Sequence, residues 1–341
     1  MNALKVCDLF SGIGGFRFGL EKASSKFQTV FANELDKWAA SIYRHHWNDG
    51  TLYEGDIRNI QAKDIPNFDV LCGGFPCQPF SMAGKRAGRQ DPRGTLVYEI
   101  LRITKEKQPQ ILLLENVPGL LSINGGKTFQ TIIEKMGELG YTCEWKILNS
   151  QFFRVPQNRR RLFIIAHTTN HKGGGRTVFP IGNSDNIYFK KSYGQKVCST
   201  IMANYPKRGG GGTYIVQPRP TAKSKDQFRV YVDRIPTLMA RMGTGGGNVP
   251  LVLRENQRMR RLTCVECERL QGFPDNWTQH GLTTAAAGKQ IEISNSQRYK
   301  AIGNAVTTNV ITEIGKLILN FFFKELPIPE LAHQKKLETQ L

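Results

Sequence analysis

Short apolar runs punctuate the first half of the chain, at Leu4–Phe10, Thr29–Ala32, Phe68–Cys72, Ile111–Leu114 and Leu162–Ala166. They are short for buried helices and too continuous for strands with one wet face. They therefore read as strands covered on both faces, with the longer mixed stretches between them as crossover helices. This alternation predicts an α/β fold built on a doubly wound, mostly parallel sheet. Ligands in such sheets bind beyond the carboxyl ends of the strands. The residues that close the runs are thus the candidate site: Asp8, Glu34, Asp56, the loop Gly73–Ser81 and Glu115–Asn116.

After about Thr168 the pattern changes to glycine, lysine and arginine with short β-like pieces, among them Lys172–Arg176, Lys207–Tyr214 and Arg241–Pro250. Interleaved Tyr188, Phe189, Tyr214–Val216 and Phe228–Val232 predict a small folded domain rather than a linker. From Val310 to Phe323, Ile311, Ile314, Ile318, Phe321 and Phe322 fall at helical spacing, which predicts a helix packed back on the large domain. The expected division is 1–175 with 298–341 for one domain and 176–297 for the second, with its hinge.

Charge sharpens this division. The 341 residues carry a formal net charge of +19, which implies a polyanionic partner, since uncompensated positive charge repels itself. Thr168–Thr263 holds 17 basic and 4 acidic residues, so +13 of that excess lies in under a third of the chain. Seven cysteines with no paired spacing suit a reducing, cytoplasmic setting. Cys264 and Cys267 form a CxxC, but His45, His46, His167, His171, His280 and His333 offer no spacing that completes a zinc site. No metal is expected, and the pair reads as one turn of a helix. No basic leader precedes Asp8 and no stretch approaches the roughly 18 apolar residues of a membrane span, so neither secretion nor membrane insertion is expected.

Four stretches carry candidate chemistry. Asp8–Phe16 (DLFSGIGGF) follows the first strand and opens a helix, where Gly12, Gly14 and Gly15 let a ligand approach backbone N–H groups. Glu34, 19 residues beyond Gly15, stands where a carboxylate takes both hydroxyls of a ribose, and Asp56 lies within reach of an adenine amino group. The first loop lacks GxGxxG, so a nucleoside with an amino-acid tail suits it better than a dinucleotide. Gly73–Ser81 (GGFPCQPFS) sets Cys77 on a loop at a strand end, opposite Glu115 of Glu115–Val117 (ENV), in the arrangement of a nucleophile facing an acid. Gln157–Arg161 (QNRRR) supplies arginines that suit a carbonyl oxygen or phosphates, or else a solvated charge run.

Taken in order, DLFSGIGGF, NELD (Asn33–Asp36), GDI (Gly55–Ile57), GGFPCQPFS, ENV, QNRRR, RRLTCVECERLQGFP (Arg260–Pro274) and IGNAV (Ile302–Val306) resemble the motif set of the bacterial cytosine-5 DNA methyltransferases of restriction–modification systems. The resemblance spans nearly the whole chain. It implies a fold of the S-adenosylmethionine-dependent methyltransferase type with a smaller Gly/Lys/Arg-rich target-recognition domain. It also implies S-adenosyl-L-methionine as cofactor and duplex DNA with a short specific sequence as partner. A companion endonuclease is implied too, and a monomer suffices because one chain holds every motif.

Under this resemblance Cys77 adds to carbon 6 of cytosine, since carbon 5 is too weak a nucleophile to take a methyl group unaided. Glu115 serves ring nitrogen 3, and Arg159 and Arg161 fill the arginine places of the family's QxRxR pattern. Phe10, Gly12, Gly14, Gly15, Glu34, Leu35, Asp56, Ile57, Leu96 and Asn304 would bind the cofactor. Gly84–Leu96, with Arg86, is similar to a loop that folds over the flipped base, and the loops of Arg208 and Gly210 and of Arg241 and Gly245 are similar to two recognition loops. Affinity for DNA is then expected to fall steeply with salt. Leu35 departs from the aromatic residue common at its place, Ser11 from the commoner alanine, and Ala83 from a serine. Two other readings remain: an RNA cytosine-5 methyltransferase, and a catalytically silent DNA-binding regulator.

Overall fold

Each expected apolar run forms a strand whose alternate side chains enter opposite hydrophobic layers. In β1 (Leu4–Leu9) Leu4 and Val6 point into one core, Cys7 and Leu9 into the other. The same division holds in β4 (Val70–Gly74), β5 (Ile111–Asn116) and β8 (Arg160–Thr168), where Phe163 and Ile165 face one layer and Leu162, Ile164 and Ala166 the other. Burial on both faces explains why these runs read as unbroken apolar segments.

The computed structural model describes residues 3–76, 96–168, 178–179, 214–218, 228–232, 235–243, 249–253, 259–284 and 288–323. With β2 (Phe27–Glu34), β3 (Leu52–Glu54) and β6 (Tyr141–Asn149), these strands form a seven-stranded sheet of order β3-β2-β1-β4-β5-β8-β6. All neighbours from β3 to β5 are parallel, while β8 is antiparallel to both β5 and β6. The mostly parallel, doubly wound sheet expected from the sequence is thus present. The reversal of β8 was not foreseen, because a strand buried on both faces has the same pattern in either direction. Chain order reverses between β1 and β4, so a crevice opens beyond their carboxyl ends.

Helices α1 (Gly15–Ala23), α2 (Lys37–His46), α3 (Leu96–Lys107) and α4 (Lys127–Glu138) fill the crossovers. The tail forms α7 (Thr308–Phe323), as its spacing predicts, and lies against α1. A Cβ on Gly19 would fall 2.6 Å from Cβ of Ile311, and Oγ1 of Thr312 donates to the Gly19 carbonyl at 3.0 Å. Between them come α5 (Cys264–Leu270) and α6 (Asn295–Asn304). Cys264 and Cys267 occupy one helical turn, both buried and unpaired. No described helix is long and apolar enough to cross a membrane.

Beyond β8 the described strands β9 (Tyr214–Pro218), β10 (Phe228–Val232), β12 (Leu251–Leu253) and β13 (Met259–Arg261) form a separate antiparallel sheet of order β10-β9-β12-β13. Lys172–Arg176 and residues 207–213 lie outside the described residues. Cys264, Cys267 and Leu270 share an apolar cluster with Ile235, Leu238 and Leu262, whereas Phe273, Trp277 and Ile293 share one with Ile13 and Ile42. Beneath them Glu268, wholly buried, accepts from the Thr278 N–H at 2.9 Å and pairs with Arg298 at 3.1 Å.

Asp8 corrects one sequence expectation. It closes the first run but has no exposed surface, so it faces the core and not a ligand. Cys72 Sγ donates to its Oδ1 at 3.6 Å, while Oδ2 finds no partner among the described residues. Burial pushes the carboxyl up to about 7, against the pull of the Cys72 thiol and of Arg17. The folded state therefore holds a proton that the unfolded chain releases near pH 3.8. A raised folded-state value makes this stability fully present below about pH 4 and lost as pH rises towards 7. Asp8→Asn should gain on the parent protein over that window, by up to about 4 kcal/mol at about 1.4 kcal/mol per pH unit. Urea unfolding at pH 5, 6 and 7.5 tests this; a stability difference that does not change with pH would show that Asp8 is ionised throughout.

Candidate active site

The crevice beyond β1, β2, β4 and β5 is a cleft of about 420 Å3, in the size range of small-molecule sites. Its first wall is the turn after β1. Phe10 and Gly12 both take φ 56°, a left-handed conformation rare for a phenylalanine and characteristic of constrained functional turns. Gly14, with φ 83°, caps α1 beneath Trp47, where a Cβ would lie 2.1 Å from the indole. Gly15 begins α1, and a Cβ there would come within 2.8 Å of Val306.

Glu34, at the end of β2, is held by main-chain donors. Its Oε2 accepts from Gly12 N–H at 2.7 Å, and Oε1 accepts from Leu35 and Asp36 N–H at 2.9 and 2.7 Å. Burial raises its carboxyl, while the Asp36 and Gly12 N–H groups oppose the shift. Since a carboxylate oxygen has two lone pairs, Oε2 keeps one acceptor position and Oε1 is filled. Asp36, on the cleft wall, caps α2 through Trp38 and Ala39 N–H and pairs with Lys300 of α6. Asn33 fixes the neighbouring turn by donating to the Tyr53 and Gly55 carbonyls at 3.2 and 2.8 Å.

The other wall contains Glu115 and Arg161. Register sets Gly74 of β4 beside Glu115 of β5, and a Cβ on Gly74 would lie 3.3 Å from Oε2 of Glu115. Glu115 is buried, with Nε of Arg161 2.9 Å from its Oε1. Burial raises the carboxyl, and Arg161 first and Arg159 second pull it down. Asn116 donates to the Phe75 carbonyl at 2.9 Å. That bond ties β5 to the loop that passes Phe75 and Pro76, both on the cleft, and continues into Cys77.

Phe10, Gly12, Glu34, Glu115, Arg161 and Asn304 thus meet in one cleft. Arg159 also lines it, but its terminal nitrogens point elsewhere, to the carbonyls of Leu238 at 2.8 Å, Gly303 at 3.4 Å and Ala305 at 2.8 Å, while its Nε finds no partner among the described residues. Asp56 caps the turn Ile57–Asn59 and pairs with Arg58, Ile57 is in the core, Leu35 is 66% exposed at the rim, and Leu96 begins α3. None of these four lines the cleft. Cys77, Arg86, Arg208, Gly210 and Gly245 lie outside the described residues, as does the side chain of Arg241. Sequence reasoning missed Lys300, Gln297 and Ala301 on α6, although the helix leads directly into Asn304. No group of three or more metal-ligating side chains occurs among the described residues.

Comparison with known proteins gives one consistent result. The family model for "C-5 cytosine-specific DNA methylase" matches residues 4–320. The type II methyltransferase M.Bsp6I of Bacillus sp. (strain RFL6) is 35% identical over 328 residues, covering 92% of this chain and 98% of that one. M.HhaI of Haemophilus parahaemolyticus is 32% identical over 347 residues, covering 94% and 97%. Among solved structures, the S. pombe Dnmt2 methyltransferase aligns over 94% of this chain and 99% of its own, with TM-score 0.65 and 19% identity. The Entamoeba histolytica methyltransferase EhMeth aligns over the same shares, with TM-score 0.61 and 17% identity. At those identities the two structures speak for the fold.

Proposed function

This chain belongs to the C-5 cytosine-specific DNA methylases and is a DNA cytosine methyltransferase, and from that premise we propose how its own residues bind the cofactor and activate the base. The observation that carries the proposal is the convergence, in one cleft, of the buried Glu115–Arg161 pair, the spare acceptor of Glu34 and the loop that leads into Cys77.

S-adenosylmethionine fits the half of the cleft bounded by Phe10, Gly12 and Glu34: Oε2 of Glu34 offers its remaining lone pair to a ribose hydroxyl, and Phe10 presents an aromatic surface. Bound there, the cofactor supplies an electrophilic methyl group. Cys77 attacks carbon 6 of a cytosine turned out of the duplex, and the ring electrons move towards carbon 5 and nitrogen 3. Glu115 hydrogen-bonds nitrogen 3 and supplies a proton as negative charge develops, and Arg161 orients the carboxyl and faces the carbonyl side of the ring. Once carbon 5 carries the methyl group, loss of its hydrogen as a proton to solvent lets the Cys77–carbon 6 bond break and restores the thiolate, and nitrogen 3 returns its proton to the Glu115 carboxylate. The basic segment holds the duplex, chiefly by its phosphates. The type II names of the relatives support a role in protecting DNA from a companion endonuclease.

The test is incubation with duplex DNA containing 5-fluorocytosine plus S-adenosylmethionine, followed by mass spectrometry of the peptides. A cofactor-dependent adduct on Cys77 is expected. An adduct formed with RNA alone would move the reading to an RNA enzyme, and none on either would sink the catalytic role of Cys77.

Leu35 supplies a second prediction. As an exposed aliphatic residue next to Glu34, it offers less surface to an adenine ring than an aromatic would. Leu35→Trp should tighten binding of S-adenosylhomocysteine about 3- to 10-fold, the worth of one stacked aromatic pair. Calorimetry without DNA measures this, and unchanged affinity would place the adenine away from Leu35.

A further inference from the structure

We propose that Arg159 is a positioning residue that locks the recognition segment onto the cleft wall, leaving Arg161 as the arginine of this pair that meets the base. The inference rests on the functional reading above and divides the labour between two side chains that sequence alone treats alike.

The geometry is specific. Arg159 is 2% exposed, and its two terminal nitrogens donate to three carbonyls from two chain segments. Leu238 lies in the segment that leads to the Gly-rich stretch 244–248, whereas Gly303 and Ala305 end α6, the helix that brings Lys300 and Asn304 to the cleft. Only a planar guanidinium carries several donors in a fixed fork able to span such a set. With its terminal nitrogens so engaged, Arg159 is poorly placed to reach a substrate. Arg161, by contrast, bonds Glu115 on the cleft side.

Neighbouring bonds converge on the same joint. Gln157 accepts from the Leu238 N–H at 3.1 Å and donates to the Leu270 carbonyl at 2.8 Å. Gln271 donates to the carbonyls of Ile302 and Ala305 at 3.0 and 3.2 Å. β11 (Ile235–Pro236) pairs with β7 (Gln157–Asn158). The two segments also touch without side chains between them: a Cβ on Gly303 would lie 2.2 Å from the Met239 carbonyl carbon, and one on Gly243 would lie 2.2 Å from the Ser296 oxygen. A rearrangement of residues 238–243 on meeting DNA therefore shifts the wall that carries Lys300 and Asn304. Through Arg159 the reading of sequence and the shape of the catalytic cleft become one equilibrium.

Arg159→Lys keeps the charge and removes the fork. In the ligand-free protein, hydrogen exchange at residues 238–243 and 302–306 should accelerate together by about 10-fold or more, with β1 and β5 unchanged as the folding control. The KM for S-adenosylmethionine should rise about 10-fold, and discrimination between a duplex that the parent methylates and one with a single changed base pair should shrink by a similar factor. The kcat at saturation should fall less than in Arg161→Lys, which should lower kcat by about 100-fold with exchange unaltered. An Arg159→Lys protein that loses kcat as Arg161→Lys does, with discrimination and exchange intact, would overturn the proposal. If the variant does not fold, exchange in the parent protein decides: duplex binding must slow both segments together, and slowing of only one rules the coupling out. Absence of methyl transfer to any nucleic acid would defeat the functional reading, while the ligand-free exchange result would still judge the clamp.

Discussion

Cys77→Ser abolishes methyl transfer, by at least about 10^4-fold, while leaving duplex binding within a few-fold of the parent; this is the expected outcome of making the attacking atom an alcohol instead of a thiol, since serine is far less nucleophilic without an adjacent base to ionise it. Among the described residues the other cysteines are poor nucleophiles, while Cys198 lies outside them. Cys7, Cys72 and Cys267 are wholly buried with thiols pushed well up by desolvation, and burial also raises Cys143 and Cys264. Ser replacements at Cys143 or Cys264 should therefore leave the rate unchanged. The assay is tritium transfer from labelled S-adenosylmethionine to DNA, paired with a gel-shift titration. Residual transfer above about 1% of the parent by the Cys77→Ser protein would mean that the thiol is not the atom that attacks. Loss of binding alongside activity would mean that Cys77 supports the DNA interface.

The two carboxylates were legible in the sequence because strand ends in a parallel sheet are marked by where apolar runs stop, and Glu34 and Glu115 stop theirs. The same logic failed at Asp8. An acid closing a strand looks identical whether it faces a ligand or the core, and only the packing of Cys72 beside it reveals which. Lys300 escaped notice because its partner Asp36 is 264 residues away and no local pattern joins them. The arginines of Gln157–Arg161 show the same limit from the other side. Two places apart in one motif, Arg159 and Arg161 read alike, yet Arg159 falls between β7 and β8 and meets three carbonyls, whereas Arg161 lies in β8 and meets a carboxylate. Tertiary contacts with Leu238 and Gly303 separated their tasks. Direction in β8 was unreadable for a related reason, since its two-sided burial carries no sign.

Glu115→Gln should lower kcat by about 100- to 1,000-fold, the scale of one general acid, with S-adenosylhomocysteine and DNA binding maintained. The shape of the pH profile distinguishes an acid from a mere anchor. Burial raises the carboxyl and Arg161 and Arg159 restrain the shift, so the protonated form that donates to nitrogen 3 persists above the usual carboxylate range and is lost as pH rises through the raised value. The parent kcat should accordingly fall on the alkaline side, and Glu115→Gln, which cannot titrate, should lack that limb. Removing the cation shifts the same titration. In Arg161→Gln the restraint on Glu115 weakens, its pKa climbs further, and the alkaline limb should move to higher pH even as kcat drops through loss of the contact with the ring. Single-turnover rates from pH 5.5 to 9 measure all three proteins. A limb that moves to lower pH in Arg161→Gln, or that survives intact in Glu115→Gln, would assign the titration to another group and remove Glu115 from the proton's path.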